Sequence, residues 1–144
     1  MIYTNSDGGA RGNPGPGAIG IIIRDNEEIL TKYSQFIGRR VTNNIAEYEA
    51  LIKALEIASK FTKDEVTCIL DSELIVNQLL GKYKVRNPQM LELFLIVQKL
   101  QENFKKIKYD HVSRLNKFQK MADEMVNSEL EKEGFRKKRY YADG

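Results

Sequence analysis

The chain has 144 residues, of which 42% are hydrophobic and 30% charged, and its formal net charge is +3. These values are typical of one soluble globular domain and exclude a chain dominated by disorder. Cys68 is the only cysteine, which excludes an intramolecular disulfide and a thiolate metal cluster. We expect a cytoplasmic protein without a membrane partner, because neither a secretory signal pattern nor a membrane-spanning apolar run is found.

The first part of the chain predicts three consecutive antiparallel strands. They cover Met1–Asp7, Ala18–Arg24 and Glu28–Ile37. A turn rich in glycine and proline is predicted to begin at Gly8, which would leave Asp7 at the end of the first strand. On this stretch alone two interpretations stay open. It is either a hairpin with an incidental aspartate, or a carboxylate placed for metal or phosphate chemistry.

The rest of the chain predicts helices that alternate with two further strands. The predicted helices cover Thr42–Phe61, Ser72–Leu80, Gln89–Asn103 and Lys117–Glu133, and the strands cover Glu65–Asp71 and Lys106–Val112. The run EVTCILD is apolar up to its aspartate, which is typical of a central parallel strand buried on both faces. The fold class is therefore α/β, with helices packed on a mixed sheet.

Glu47 is the most informative residue of the first predicted helix. The predicted inward faces carry Leu51, Ala54, Leu55, Ala58 and Phe61 in the first helix, and Leu91, Phe94, Leu95, Val97 and Leu100 in the third. At about 100° per residue, Glu47 lies in phase with the apolar stripe of its helix. A carboxylate directed toward a core costs several kcal/mol unless something compensates it.

Four acidic residues stand out together. Asp7 and Asp71 end predicted strands, Glu47 faces inward, and Asp123 lies on the inner flank of the last helix. Ligand sites in open α/β sheets lie beyond the carboxyl ends of strands, so Asp7 and Asp71 are neighbours if their strands are adjacent and parallel. Divalent cations would relieve the repulsion, and an all-oxygen ligand set favours Mg²⁺ or Mn²⁺ over zinc. For each acid alone, a helix cap or a surface ion pair stays the alternative.

The charge is unevenly distributed along the chain. Between Gly81 and Lys120 ten basic residues stand against three acidic ones, a net charge of +7, which leaves −4 for the remainder. Residues 135–144 are basic and aromatic, and we expect them to form a tail behind a domain of residues 1–134. This asymmetry suits a nucleic-acid partner, and a solvated lysine face is the alternative.

Four sequence motifs, in order along the chain, resemble ribonuclease H of type 1. They are DGGARGNPGPGA after the first strand, TNNIAEYEAL at the start of a helix, ILDS at the end of a strand and MADEMVN near the end of the chain. The resemblance extends from Tyr3 to about Asn127 and implies a five-stranded mixed sheet. It is closest to the short members of archaeal type and of some bacteria, which lack a basic protrusion.

The resemblance implies an endoribonuclease that hydrolyses the RNA strand of RNA–DNA hybrids and leaves 5′-phosphate and 3′-hydroxyl ends. It implies two Mg²⁺ ions, replaceable by Mn²⁺, held by four catalytic carboxylates: Asp7, Glu47, Asp71 and Asp123. Asp7 would bridge both ions. One ion would lower the pKa of the attacking water, and the other would stabilise the leaving 3′ oxygen. An RNA–RNA duplex is a second candidate substrate, and a monomer is expected.

The resemblance also implies a set of substrate contacts. These are Gly8, Gly9, Asn13, Thr42, Asn43, Asn44 and Arg114. The two glycines would let the backbone approach the RNA minor groove, where 2′-hydroxyls distinguish RNA from DNA. Asn13 has the alternative role of holding its own turn. The mobile histidine of many members is absent, and Arg114 is a candidate for part of its task, whereas His111 is expected to be structural.

The sequence disfavours two other functions and leaves one alternative open. A resolvase-like or transposase-like nuclease of the same fold is disfavoured by the TNN-x-A-E motif that begins at Thr42. A dinucleotide site is disfavoured because the glycines precede Pro16 and an isoleucine-rich strand rather than a helix. A catalytically weak or inactive hybrid-binding or duplex-binding module of the same fold is the remaining alternative, and the presence of four carboxylates argues against it.

Overall fold

The computed structural model describes residues 1–135, which form five strands and four helices. The strands are β1 (Ile2–Ala10), β2 (Gly15–Asp25), β3 (Glu28–Val41), β4 (Glu65–Leu70) and β5 (Lys106–His111). The helices are α1 (Asn43–Ala58), α2 (Glu73–Leu79), α3 (Pro88–Gln101) and α4 (Lys117–Lys132). Of the predicted tail, all but Phe135 falls outside the described residues.

The five strands form one mixed sheet in the order β3-β2-β1-β4-β5, which confirms the predicted fold class. β2 pairs antiparallel with both β1 and β3, whereas β4 pairs parallel with both β1 and β5. The central position of β4 explains its continuous apolar run. Because Asn5 is paired with Ile69, the parallel strands bring Asp7 and Asp71 to the same edge of the sheet.

The first strand is longer than predicted. β1 continues through Gly8 and Gly9 to Ala10, and each of these residues is paired with β2. The prediction that Asp7 ends the strand was therefore wrong, and the turn shrinks to residues 11–14. Glycine weakens a strand locally, but pairing with a long neighbouring strand overrides that tendency. As a result, strand pairing fixes the backbone both before and after Asp7.

The main hydrophobic core lies between the sheet and α1. Tyr48, Leu51 and Leu55 are fully buried there, together with the isoleucines of β2 that face this helix. α1 ends at Ala58, so Phe61 lies beyond the helix and is 45% exposed. The prediction that Phe61 faces the core was wrong, because the regular helical period does not extend to it.

α3 forms an outer layer against α1, and only a narrow stripe of it is covered. Val97 is buried, whereas Leu91 is 40% and Leu95 54% exposed. The prediction that these two leucines face the core was therefore wrong. The helix has more apolar residues than one packed face can cover, so periodicity alone could not select the buried ones. Within residues 1–135, no helix is long and apolar enough to cross a membrane.

The opposite face of the sheet carries α4 and a smaller apolar cluster. Ala18, Val126 and Leu130 are buried there, with Phe36 and Phe135 packed against them. The rings of Phe36 and Phe135 stack with centroids 6.0 Å apart. The chain leaves α4 at Gly134, whose φ of 91° is typical of glycine after a helix.

Candidate active site

Three carboxylates meet where β1, α1 and the end of β4 come together. Ligand oxygens of Asp7, Glu47 and Asp71 all lie within 4.8 Å of one another. Asp7 is only 5% and Glu47 9% exposed, and Asp71 is half-buried just beyond β4. Asp123 of α4 lies beside this group, where its charge acts on both Asp7 and Asp71. Thus three of the predicted acids form a cluster and the fourth stands at its rim.

Gly8 allows α1 to lie against β1. A Cβ atom at this position would be 2.1 Å from the carbonyl oxygen of Ala46, closer than real atoms can approach. Glu47 follows Ala46 in the chain, so this backbone contact sets its carboxylate beside Asp7. α1 begins just upstream, where the hydroxyl of Thr42 accepts a hydrogen bond from the backbone nitrogen of Ile45.

Gly20 is the counterpart of Gly8 on the face that carries α4. It is paired directly opposite Asp7, so the two positions share one face of the sheet. A Cβ atom on Gly20 would be 2.5 Å from the carbonyl oxygen of Ala122. α4 therefore lies close to β2, and Asp123, the next residue, stands near Asp7.

Burial and mutual repulsion raise the pKa values of the clustered carboxyl groups. Burial, followed by the charge of Asp71, raises the pKa of Asp7 to about 8. Burial also raises the pKa of Glu47 well above its ordinary value, and the neighbouring aspartates add to this effect. The pKa of Asp71 is raised by burial too, although Arg114 opposes the rise. Such neighbours cannot all ionise readily without a compensating cation.

The donor set fits a hard divalent cation. The Oε2 atom of Glu47 is buried and has no hydrogen-bond partner among residues 1–135, although buried polar atoms are normally satisfied. The cluster offers carboxylate oxygens only, the ligand type preferred by Mg²⁺ and Mn²⁺. A bound cation would give this oxygen its missing partner and would offset the repulsion within the cluster.

Two asparagines tie the glycine-proline turn to the start of α1. The backbone nitrogen of Asn43 donates to Oδ1 of Asn13 at 3.0 Å, and the backbone nitrogen of Ala10 donates to Oδ1 of Asn43 at 2.9 Å. The observed contact of Asn13 therefore agrees with the alternative that this residue holds its own turn. Substrate binding by Asn13, Thr42 and Asn43 stays a prediction.

The other predicted substrate contacts surround the carboxylates. Asn44 is half-buried in the first turn of α1, and a Cβ atom on Gly9 would meet nothing closer than Val126 Cγ1 at 3.7 Å. Arg114 is exposed in the turn between β5 and α4. Substrate binding by all of them, and by Gly8, stays a prediction. His111 is exposed at the end of β5 and is not part of the core.

Similarity to known proteins identifies the family. The sequence family described as reverse transcriptase-like matches residues 5–129. RNase H1 from the halophilic archaeon Halobacterium salinarum NRC-1 is 34% identical in sequence and has a TM-score of 0.85, over 91% of this chain and 98% of that one. The chain belongs to the ribonuclease H type 1 family.

Two further ribonuclease H relatives show how far the similarity extends. LC11-RNase H1, solved in complex with an RNA/DNA hybrid, is 40% identical with a TM-score of 0.85, over 92% of this chain and 99% of that one. The bifunctional protein Rv2228c of Mycobacterium tuberculosis is 37% identical over 132 residues, which are 90% of this chain but 35% of the relative. The chain therefore spans about a third of the length of this mycobacterial relative.

Sequence reasoning assigned no role to several residues that shape this ribonuclease H site. They are Gly20, Arg24, Asn5 and Gln119. Gln119 could have been found, because it lies four residues before Asp123 and therefore on the same face of α4. Arg24 gave no such signal, since a basic residue at the end of a strand is usually exposed.

Proposed function

We propose that this protein is an endoribonuclease that hydrolyses the RNA strand of RNA–DNA hybrids, leaving 5′-phosphate and 3′-hydroxyl ends. The observation that carries this proposal is the cluster of Asp7, Glu47 and Asp71, whose ligand oxygens lie within 4.8 Å of one another. The hybrid bound to the family member LC11-RNase H1 supports the substrate class. A cytoplasmic location and a monomeric state stay predictions from the sequence.

Mg²⁺ is the proposed cation, with Mn²⁺ as a replacement. When bound, two such ions would supply the activation of a water molecule and the neutralisation of charge at the leaving oxygen. Asp7, Glu47 and Asp71 would hold the ions, and the unpartnered Oε2 of Glu47 supports this assignment. Asp123, at the rim of the cluster, would complete the ligand set from α4.

Exposed basic residues are proposed to bind the sugar-phosphate backbone. Arg114 is exposed and its charge acts on Asp71, so it can meet a phosphate close to the reacting bond. Lys82, Lys84 and Arg86 are exposed in the loop between α2 and α3. Contacts of this kind raise affinity without reading sequence and weaken as salt is added.

The proposed activity is tested with an end-labelled RNA–DNA hybrid. The wild-type protein should cut the RNA strand with Mg²⁺ or Mn²⁺, and EDTA should stop the reaction. Asp7→Asn and Glu47→Gln should each lower the rate of RNA cleavage by more than roughly 100-fold, the upper end of the effect that is typical of residues behind metal ligands. Glu49→Gln is the matched control, since Glu49 lies on the same helix but outside the cluster, and it should cut like wild type.

Two results would contradict the proposed activity. Persistent cleavage by the Asp7→Asn protein would rule out the metal-dependent mechanism. A hybrid that is bound but stays intact with every metal tested would support the alternative of a binding module. An RNA–RNA duplex assayed beside the hybrid decides whether this second candidate substrate is also cut.

A further inference from the structure

A buried chain of polar side chains runs behind the carboxylates from β2 to α4. Nε of Arg24 donates to Oδ1 of Asn5 at 2.8 Å, and Nδ2 of Asn5 donates to Oε1 of Gln119 at 3.3 Å. Nε2 of Gln119 in turn donates to the carbonyl oxygen of Ser6 at 2.7 Å. Arg24 is 9% exposed, and Asn5 and Gln119 are fully buried. The proposed reaction assigns no role to these three side chains.

Arg24 sets the direction of this chain. A guanidinium group only donates hydrogen bonds, so Asn5 must present its oxygen to Arg24 and its NH₂ group to Gln119. Gln119 must then present its oxygen to Asn5, which turns its own NH₂ group toward Ser6. One cation therefore orients both buried amides.

The position of Arg24 is itself tightly constrained. Its Cζ lies 4.7 Å from the ring centroid of Tyr3 and 4.2 Å from that of Phe118, and its Nη1 donates to the carbonyl oxygen of Asn26. The two rings belong to β1 and α4, so the same cation contacts both elements. Burying a cation costs free energy that rings and oxygen acceptors must offset. An apolar side chain would join β1 and α4 without that cost. Packing alone therefore does not explain why polar side chains are buried here.

The Gln119 end of the chain reaches the backbone next to Asp7. Ser6, whose carbonyl oxygen accepts from Gln119, directly precedes Asp7. This hydrogen bond fixes the backbone just before Asp7, whose ligand oxygen lies within 4.8 Å of those of Glu47 and Asp71.

We propose that Gln119 is a positioning residue, oriented by Arg24 through Asn5, which holds the backbone beside Asp7 in the arrangement that binds divalent metal. This role deepens the proposed function and rests on it, because the site it serves is the proposed metal site. Arg24 and Asn5 act only through Gln119. Residues that orient metal ligands in this way typically change metal affinity or activity by about 10-fold to 100-fold.

The first test replaces Gln119 by an apolar side chain of similar length. Gln119→Met should weaken the binding of Mg²⁺ alone, measured by isothermal titration calorimetry, by about 10-fold to 100-fold. On the hybrid, kcat should fall while KM changes little, because no proposed substrate contact is removed. If the wild-type protein binds Mg²⁺ but cuts no hybrid, the proposed function fails, while the Mg²⁺ titration still decides the role of Gln119.

Leu130→Ala is the matched control for a purely structural effect. Leu130 is fully buried on the same helix but packs in the separate cluster with Ala18 and Val126. Its truncation should destabilise the protein and leave the affinity for Mg²⁺ unchanged. If Gln119→Met, compared at equal loss of stability, also keeps the wild-type affinity for Mg²⁺, the role of Gln119 is structural and the proposed role is overturned.

The second test addresses the orientation by Arg24. Arg24→Lys keeps a cation near the two rings but lacks the planar Nε–H donor, so it should weaken Mg²⁺ binding less than Gln119→Met does. The double variant should bind Mg²⁺ no more weakly than Gln119→Met, because both changes act through one amide. If the two substitutions instead reduce Mg²⁺ affinity additively, Arg24 does not act through Gln119 and the proposed orientation is overturned. If Gln119→Met does not fold, an unchanged Mg²⁺ affinity of the Arg24→Lys protein would also overturn the proposal.

Discussion

The two helices that carry acids of the site are attached to the sheet by different means. α1 packs through an almost entirely apolar face, on which Tyr48, Leu51 and Leu55 are fully buried. Burial of one such leucine contributes about 1.5–3 kcal/mol. Glu47 is therefore held by the same packing that holds the domain together.

α4 is attached through fewer apolar contacts and more directional ones. Gln119 donates to the Ser6 carbonyl oxygen, and Arg11 donates to Oδ1 of Asn127 at 2.7 Å. Such hydrogen bonds each contribute only about 0.5–1.5 kcal/mol net, but they fix orientation. We therefore expect the position of Asp123 to be easier to alter in the folded protein than that of Glu47.

The largest expected effect is a loss of stability caused by a substitution where α1 contacts β1. Gly8→Ala places a Cβ atom 2.1 Å from the carbonyl oxygen of Ala46, and backbone on both sides leaves little room to relax. We expect the free energy of unfolding, measured with urea, to fall by about 3 kcal/mol or more. Gly20→Ala, whose Cβ atom would be 2.5 Å from the Ala122 carbonyl oxygen, should cost less because α4 can shift.

Gly9→Ala is the control for these two substitutions. Its Cβ atom would make an ordinary contact with Val126 at 3.7 Å, so the free energy of unfolding should change by less than about 1 kcal/mol. Equal losses for Gly8→Ala and Gly20→Ala would show that the two helices are equally rigid. The proposed difference in how α1 and α4 are attached to the sheet would then be wrong.

The next effect concerns the pH dependence of stability without divalent metal. The pKa of Asp7 is raised from 3.8 to about 8 in the folded protein, so the folded state binds more protons than the unfolded one. Its contribution to stability is therefore complete below about pH 4 and is lost as the pH rises through about 8. Glu47 and Asp71 shift in the same direction. Unfolding by urea in EDTA should show a protein that is less stable at pH 8 than at pH 5.

Two changes should remove this loss of stability. Asp7→Asn takes away one of the repelling charges and should make the metal-free protein more stable than wild type at pH 8. Addition of Mg²⁺ should stabilise wild type more at pH 8 than at pH 5, because ionised carboxylates bind it better. A wild-type protein whose metal-free stability is the same at both pH values would mean that the carboxyl groups are not electrostatically strained.

Much of the fold and part of the site could be predicted from local patterns. Glu47 could be placed because helical periodicity and the cost of burying a charge both single it out. Asp71 could be placed because an apolar run marks a central strand. The end of β1 could not be predicted, since Gly8 and Gly9 signal a turn locally and only pairing with β2 keeps them in a strand.

The polar chain behind the site lay beyond sequence reasoning for a different reason. The burial of Arg24 depends on rings from Tyr3 and Phe118, which are far apart along the chain. Its amide partners, Asn5 and Gln119, are likewise separated by 114 positions. Local propensity carries no information on such contacts, which exist only once the sheet and α4 are assembled.

The smallest expected effect compares the N-cap residues of two helices, Asn116 before α4 and Asn87 before α3. Oδ1 of Asn116 accepts hydrogen bonds from the backbone nitrogens of Phe118 and Gln119 at the start of α4. Oδ1 of Asn87 does the same for Met90 at the start of α3. Asn116→Ala and Asn87→Ala should each lower the free energy of unfolding by about 0.5–2 kcal/mol, which makes them a matched pair.

Only the cap of α4 should also affect the reaction. Without Asn116 the first turn of α4 loosens, and with it the orientation of Gln119 toward Ser6. We therefore expect Asn116→Ala to lower kcat on the hybrid by less than about 10-fold, the lower end of the range for residues behind metal ligands. Asn87→Ala should leave kcat unchanged, because α3 is an outer layer that packs on α1 and carries none of the four acids. If both variants keep the wild-type kcat, the start of α4 is not a sensitive part of the site. Attachment through directional contacts would then have no consequence for the reaction.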